Sequence, residues 1–409
     1  MRHLNRYLAL QQSTPLIGVT PAAGLGLITV IPCMHEPGIL ELLDHLRSRD
    51  MPDAAVEIIL VINHPDDASD EIRQSNTRAL DQIQLWQQAH NTPALQVHAI
   101  DACEMPVRAS GVGMARKIGM DEAVRRFASI GVADGIIASL DADCRVSANY
   151  FTALLQAFTG HPAMHAATIA YAHRTSNITD SRHKQAIVCY ELFLRYIELG
   201  WRHAGLPFAF TAIGSCFAVR ANACARHHGM NKRQAGEDFY FLHKLARERP
   251  LGHLPDLFVY PSARMSSRTP FGTGQAVSDW YHGHQTSWPV CAPLMFDELR
   301  QMNDSLNQLF KTDTSNWLAS LPQPLRQYLH ACDIEQAVIN MRNNSATVAS
   351  FRARFYFWFD GLKAWRYVNQ QHVMPVEQAL ASLLQMMDQR MPTTTDAESL
   401  LQQLRRTPA

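Results

Sequence analysis

Two aspartates one residue apart, Asp141 and Asp143, follow directly on a short apolar run at 135–140 (GIIASL). If the chain turns there, both carboxylates can face one ligand. Carboxylate oxygens suit hard divalent cations such as Mg2+ or Mn2+. Such a cation would hold the diphosphate of a nucleotide and neutralise its charge. The same spacing also fits a helix cap or a solvated turn, so the surroundings decide its meaning. The preceding run reads as a buried strand, and in doubly wound sheets ligands bind beyond the carboxyl ends of strands.

Four further clusters could do chemistry. Gly236-Glu237-Asp238 opens a helical pattern with apolar residues at Phe239, Leu242 and Leu245. Acids in a first helical turn are favoured by the helix dipole. They could also supply a general base, since a hydroxyl is a poor nucleophile until a carboxylate takes its proton. At 111–117 (GVGMARK) glycines precede a helix, which lets backbone amides approach a phosphate, with Arg116 and Lys117 nearby. The segment 262–274 (SARMSSRTPFGTG) sets Arg264 and Arg268 among Ser and Gly, like a loop that closes over a charged substrate. His282 and His284 come after it (YHGH) and could add one imidazole, His284, to a metal.

These residues need elements to position them. Apolar runs at 27–32 (LITVIP), 56–62 (VEIILVI) and 95–100 (LQVHAI) join 135–140 as expected strands. Nearly continuous apolar strands of this kind are buried on both faces, as in parallel sheets under helices. Helical patterns fall at 38–49, from about 70 to 89, at 114–127 and, rich in aromatics, at 181–203. Residues 64–70 read as a polar loop, and 210–219 as a strand or loop around Gly214-Ser215. Strand–helix alternation at this spacing argues for a doubly wound α/β sheet. From about 288 strand-like runs vanish. Helices are expected at 294–310, 324–341, 346–369 and 375–390, and the last dozen residues are expected to fray.

The 409-residue chain has 47% hydrophobic and 18% charged residues and no formal net charge. That balance gives no support to a nucleic-acid partner. Its eight cysteines are scattered without a CxxC pair, which reads as buried reduced thiols in a cytoplasmic protein. The N-terminus lacks the apolar core of a signal peptide, and no uncharged run of 18 apolar residues occurs, so any membrane contact would be peripheral, at the inner face.

In chain order these segments resemble glycosyltransferase family 2, with its GT-A fold. IPCMHEP at 31–37 is similar to that family's first-strand ending, with Pro32 and Glu36 kept and His35 in place of the usual Asn. VINHPDDASD at 61–70 resembles the second-strand ending, with Asn63 where an acid commonly holds the nucleotide base. GVGMARKIGMDEA at 111–123 resembles the Gly-x-x-x-Ala-Arg-Asn-x-Gly segment, with Lys117 replacing Asn. DAD at 141–143 matches the metal motif and GED at 236–238 the acidic pair.

The resemblance implies a Rossmann-like α/β fold, with a mostly parallel central sheet between helices and a C-terminal α-helical extension. The expected division is an N-terminal segment at 1–26, the GT-A domain at 27–285 and a helical region at 286–409. It implies inverting transfer of a sugar from a nucleoside-diphosphate donor, UDP or GDP, to a hydroxyl of a glycan, lipid or small molecule. Asp238 would be the base, with Glu237 in reserve. Asp143 and Asp141, with His284, would hold Mn2+ or Mg2+. Pro32, Glu36, Asn63, Arg116, Asp141 and Arg268 would bind the nucleotide sugar. Two alternatives stand beside this. A nucleotidyltransferase would usually carry a Gly-rich basic loop after the first strand, where this chain has PCMHEPG. A non-catalytic nucleotide-sugar-binding scaffold would have no need of the four acids. The aromatic helix expected at 352–370 could pack in a core, form a platform for acceptor or lipid, or form a homodimer face.

Overall fold

The computed structural model describes residues 1–11, 14–232, 236–266, 272–370, 374–388 and 396–406. The central sheet has eight strands: β1 Leu25–Cys33, β2 Ala55–Pro65, β3 Leu95–Met105, β4 Ile136–Ser139, β5 Arg145–Val146, β6 Ala166–Tyr171, β7 Phe217–Arg220 and β8 Gly252–Tyr260. They lie in the order β3-β2-β1-β4-β7-β6-β8-β5. Only β5 and β7 run against their neighbours. The expected α/β architecture, a mostly parallel sheet between helices with a helical C-terminal part, is the one observed.

The apolar strands are continuous because both faces of the sheet are covered. Leu27 and Ile31 of β1 point to one side, into a core with helices Ile39–Arg47, Asp70–His90 and Tyr150–Gly160. Ile28 and Val30 point to the other, against helices Val112–Ser129 and Glu237–Ala246. Helix Val112–Ser129 lies so close to the sheet that a Cβ on Gly119 would sit 2.4 Å from Val30 Cγ1. The chain builds β1 to β3 outward and then returns to place β4 on the other side of β1. That reversal opens a crevice at the carboxyl ends of β1 and β4, where an open α/β sheet binds ligands.

Several expectations are corrected. β2 runs to Pro65, and the segment expected as loop at 64–70 ends in Ser69, whose side chain caps helix Asp70–His90. Within 210–219 only the end is strand, beginning at Phe217. The helix expected at 324–341 is two, Gln323–Ala331 and Ile334–Asn343, parted at Asp333 with φ 58°. The helix expected at 346–369 is also two, Val348–Trp358 and Gly361–Val368, parted where Asp360 accepts a bond from the Lys363 amide as an N-cap. Strand pairing does occur after 288: β9 Pro289–Val290 pairs with β10 Met374–Pro375. The N-terminal segment carries a helix, Arg2–Gln11, with Leu4 and Tyr7 buried in the sheet core.

The C-terminal residues do not all fray. Helix Ala397–Arg406 buries Leu400 and Leu401. Its Arg405 reaches the fully buried Glu191 through two bonds, Nε to Oε1 at 2.8 Å and Nη2 to Oε2 at 2.5 Å. Burial would push the Glu191 carboxyl up, but bonds from Arg405 and His173 and the charge of Arg195 hold it well below its usual range. Arg405→Ala is therefore expected to cost about 1.5–3 kcal/mol, the range for a hydrogen bond to a charged group. The check is a melting temperature lowered by several degrees together with faster amide exchange across 397–406. An unchanged exchange rate there would refute the anchoring role.

Helices of the C-terminal region pack with helix Ser181–His203 in one core containing Leu192, Tyr196, Phe351, Phe355 and Phe359. The aromatic run at 352–370 is thus largely spent inside the chain, although Phe357 remains 68% exposed. Among the described residues no helix is long and apolar enough to cross a membrane. All eight cysteines are free thiols.

Candidate active site

β4 ends at Ser139, and the Leu140 amide still bonds to the Val30 carbonyl of β1. Asp141 follows at the crevice mouth. Its carboxylate accepts a bond from Arg116, Nη2 to Oδ1 at 2.6 Å. Arg116 lies in the first turns of helix Val112–Ser129 and is 2% exposed. Its other terminal nitrogen, Nη1, pairs with Glu237 Oε1. One guanidinium therefore ties the end of β4 to the start of helix Glu237–Ala246, almost a hundred residues later. The planar fork of Arg suits this double duty, which a point-charge ammonium would not match. Room for it depends on Gly214: a Cβ there would lie 2.6 Å from Arg116 Nη2. Ser139 Oγ donates to the Gly214 carbonyl at 2.6 Å and holds that backbone in place.

Asp238 adjoins this bridge. Its Oδ1 accepts from the Phe239 amide at 2.7 Å. Its pKa is raised, first by burial and then by the charge of Asp141, against the opposing pull of Arg116 and the amide bond. A carboxylate raised in this way is a better proton acceptor near neutrality than an ordinary one.

A second arginine bridge closes the other flank. Arg264, on the segment after β8, donates Nη1 to Glu36 Oε1 at 3.0 Å and Nη2 to Oε2 at 2.6 Å. Its Nη2 also lies 2.9 Å from Asp143 Oδ2. The antiparallel pairing of Arg145 with Tyr260 brings these two segments together. Burial, with the charges of Asp141 and Glu36, raises the Asp143 pKa to about 6 despite Arg264. Among the described residues five carboxylates, Glu36, Asp141, Asp143, Glu237 and Asp238, thus face the two guanidinium groups of Arg116 and Arg264. The excess negative charge and the hard oxygen donors fit a divalent cation. Among the described residues no three His, Cys, Asp or Glu side chains form a ready metal cage.

The remaining expected residues are placed as follows. Pro32 is a buried residue of β1, opposite Val61 in register. Asn63 is buried at the end of β2, and its Nδ2 donates to the Ser110 carbonyl at 2.8 Å, which anchors the loop before Gly111. His284 is exposed beyond helix Thr273–His282 and is not grouped with Asp141 and Asp143. Arg268 lies outside the described residues. Lys117 is not beside Arg116 in function. It points away, to Tyr7 Oη at 2.9 Å and Asp121 Oδ2 at 2.7 Å, and so fastens the N-terminal helix. Successive helical residues are turned by about 100°, so two neighbours rarely share a target.

Three contributors stood outside the assignment from sequence. Arg264 was visible there only as one of two loop arginines. Gly214 is required by the close approach of Arg116. Asn76 ties two strand ends together, accepting from the His35 amide at 2.9 Å and donating to the Asn63 carbonyl at 3.0 Å. His35 itself sits at φ 49°, a left-handed conformation that Asn adopts more readily.

No protein-family model matches the chain, and no curated protein matches it. Solved structures do. S. aureus TarS 1-349 in complex with UDP-GlcNAc is 13% identical with a TM-score of 0.42, covering 81% of this chain and 91% of that one. The mannosyltransferase PcManGT from Pyrobaculum calidifontis, in complex with GDP-Man and Mn2+, is 14% identical with a TM-score of 0.37, covering 99% and 91%.

Proposed function

We propose that the chain is a metal-dependent, inverting glycosyltransferase that moves a sugar from a nucleoside diphosphate to a hydroxyl acceptor. One observation carries this reading. The carboxylate pair at the end of β4 and the acid pair at the start of helix Glu237–Ala246 are joined through Arg116 into one cluster. That cluster stands at the carboxyl edge of the sheet, where such folds hold nucleotides.

In this reading Asp143, with Asp141, holds the divalent cation, which when bound neutralises charge on the donor diphosphate. Arg264 is assigned to the donor, its guanidinium passing from Asp143 to a phosphate oxygen. Glu36 orients Arg264, and Arg116 holds Asp141 and Glu237 in place. The acceptor hydroxyl oxygen attacks the anomeric carbon opposite the leaving nucleoside diphosphate. Asp238 takes the hydroxyl proton, and the bond from the anomeric carbon to the diphosphate oxygen breaks with its electron pair on that oxygen. Glu237, held by Arg116, is a positioning residue.

The test is a panel of UDP- and GDP-sugars with Mn2+, read by thermal shift. One donor is expected to raise the melting temperature with its concentration, as ligand linkage requires. Its turnover should release nucleoside diphosphate and leave a product of inverted anomeric configuration by NMR. Binding of no nucleotide sugar, or consumption of a nucleoside triphosphate instead, overturns the proposal.

A further inference from the structure

We infer that the cleft between helix Glu237–Ala246 and the C-terminal helices is a carbohydrate subsite that receives a neutral sugar unit. Calling that sugar part of the acceptor rests on the transferase reading above; its binding does not.

The cleft comprises two adjacent cavities of about 180 Å3 and 170 Å3, whose linings share His243, Arg247, Asp360 and Gly361. Each has room for a sugar ring. One wall is the acid-pair helix, through Phe239, Tyr240 and His243. The other is Asp360 to Leu362, where the C-terminal region starts helix Gly361–Val368. Asn231 also lines the cleft, and its Nδ2 donates to the Glu237 carbonyl at 3.4 Å. The cleft is therefore one hydrogen bond from the backbone of the acid pair.

Its chemistry is that of sugar recognition. A sugar presents an apolar face of C–H groups and a rim of hydroxyls that both donate and accept. Half-buried Phe239 supplies an aromatic surface, and the His243 ring packed on it, 4.0 Å away between centroids, is itself buried. Burial pushes the His243 imidazole down to about 3, so it is neutral there. Arg247 and Asp360, 3.1 Å apart, offer donors and acceptors side by side. The Arg247 guanidinium also lies 4.8 Å from the ring of Phe357, the large aromatic left exposed on the adjoining helix. In the second cavity Glu248 lies 3.5 Å from Arg249 and 2.7 Å from Arg226, and in the first the Lys244 ammonium donates to the Gly229 carbonyl at 3.1 Å. Charged donors and acceptors set side by side suit a ligand whose hydroxyls both donate and accept.

The test uses the full chain with 13C-labelled leucine methyls and no donor. Leu362 is the reporter, and neutral tetrasaccharides of glucose, galactose, mannose and N-acetylglucosamine are the probes. At least one is expected to shift the Leu362 methyls saturably, with a Kd of about 1 mM, ordinary for a single small polar contact area. Tyr240→Ala and Asp360→Asn should each weaken it at least tenfold. Asn keeps the helix cap at 360, and unshifted methyls elsewhere report the fold. If none of the probes moves Leu362, or if polyphosphate moves it instead, the subsite is refuted. Nucleotide sugars that bind beside a silent Leu362 would refute the subsite alone. A sugar-responsive Leu362 in a protein that binds no nucleotide sugar would refute the transferase reading alone.

Discussion

Asp143→Asn is expected to lower sugar transfer by about 10²–10³-fold, the scale for losing one electrostatic contact to developing charge, while making the protein harder to unfold at pH 8. The two effects have one cause. Burial and the neighbouring Asp141 and Glu36 raise the Asp143 pKa to about 6. A carboxylate whose folded pKa is raised contributes stability that is fully present below its unfolded value and is lost as pH rises through about 6. At pH 8 the native protein therefore carries an ionised group that its surroundings disfavour. Asn cannot ionise and keeps the shape, so the variant regains on the order of 2 kcal/mol at pH 8. The gain should shrink to almost nothing near pH 4, where both side chains are neutral in the folded state. Urea melts of the two proteins at both pH values measure this. A variant that is less stable at pH 8 would mean that Asp143 is there for its pairing with Arg264. Full transfer activity would remove Asp143 from the donor site.

The strands that frame this site were legible for a physical reason. β1, β2 and β4 are buried on both faces, so selection for burial leaves long apolar runs. β6 and β8 left no such mark. β6 is half alanine, a poor strand former, and β8 contains Pro255 and Asp256 with several exposed positions. β5 is two residues long and exists only because β8 lies beside it. The broken C-terminal helices carried a local signal that the aromatic periodicity outweighed. Asp360-Gly361 is a capping residue followed by a helix-weakening one, and the chain starts a new helix there.

Within the site, residue types were readable and partners were not. Asp141, Asp143, Glu237 and Asp238 declare themselves as acids at element ends. Arg116 reads from sequence as a phosphate ligand, since it follows glycines at a helix start. Its burial between two carboxylates is a tertiary fact: helix Val112–Ser129 must first dock on β1 to bring it there. Arg264 and Arg268 are four residues apart on a loop with no periodicity to say which turns inward. For Arg264 the answer comes from Glu36, more than two hundred residues away in the chain. Asn76 and Gly214 act through a hydrogen bond and through an absent side chain, neither of which leaves a pattern in one sequence.

Arg116→Leu separates these roles most sharply, because it removes the cation and leaves two acids behind. Glu237 is 3% exposed and would face Asp141 with no countercharge. Breaking a buried ion pair from one side costs about 3–5 kcal/mol, since the desolvated partner stays charged. Arg116→Lys should cost less stability, because one charge remains, but an ammonium cannot span both carboxylates in a fixed plane. The double variant Arg116→Leu with Glu237→Leu is expected to recover most of the stability, as apolar replacement of a whole buried pair often does. It should not recover transfer, because Asp141 and Asp238 would no longer be held relative to each other. Urea melts of the single and double variants give the coupling between the two residues directly. A single variant that unfolds within 1 kcal/mol of the parent, roughly the net of an exposed pair, would mean that the bridge does not organise the site. A double variant both stable and fully active would show that Asp238 works without it, and the proton transfer would then depend on the helix start alone.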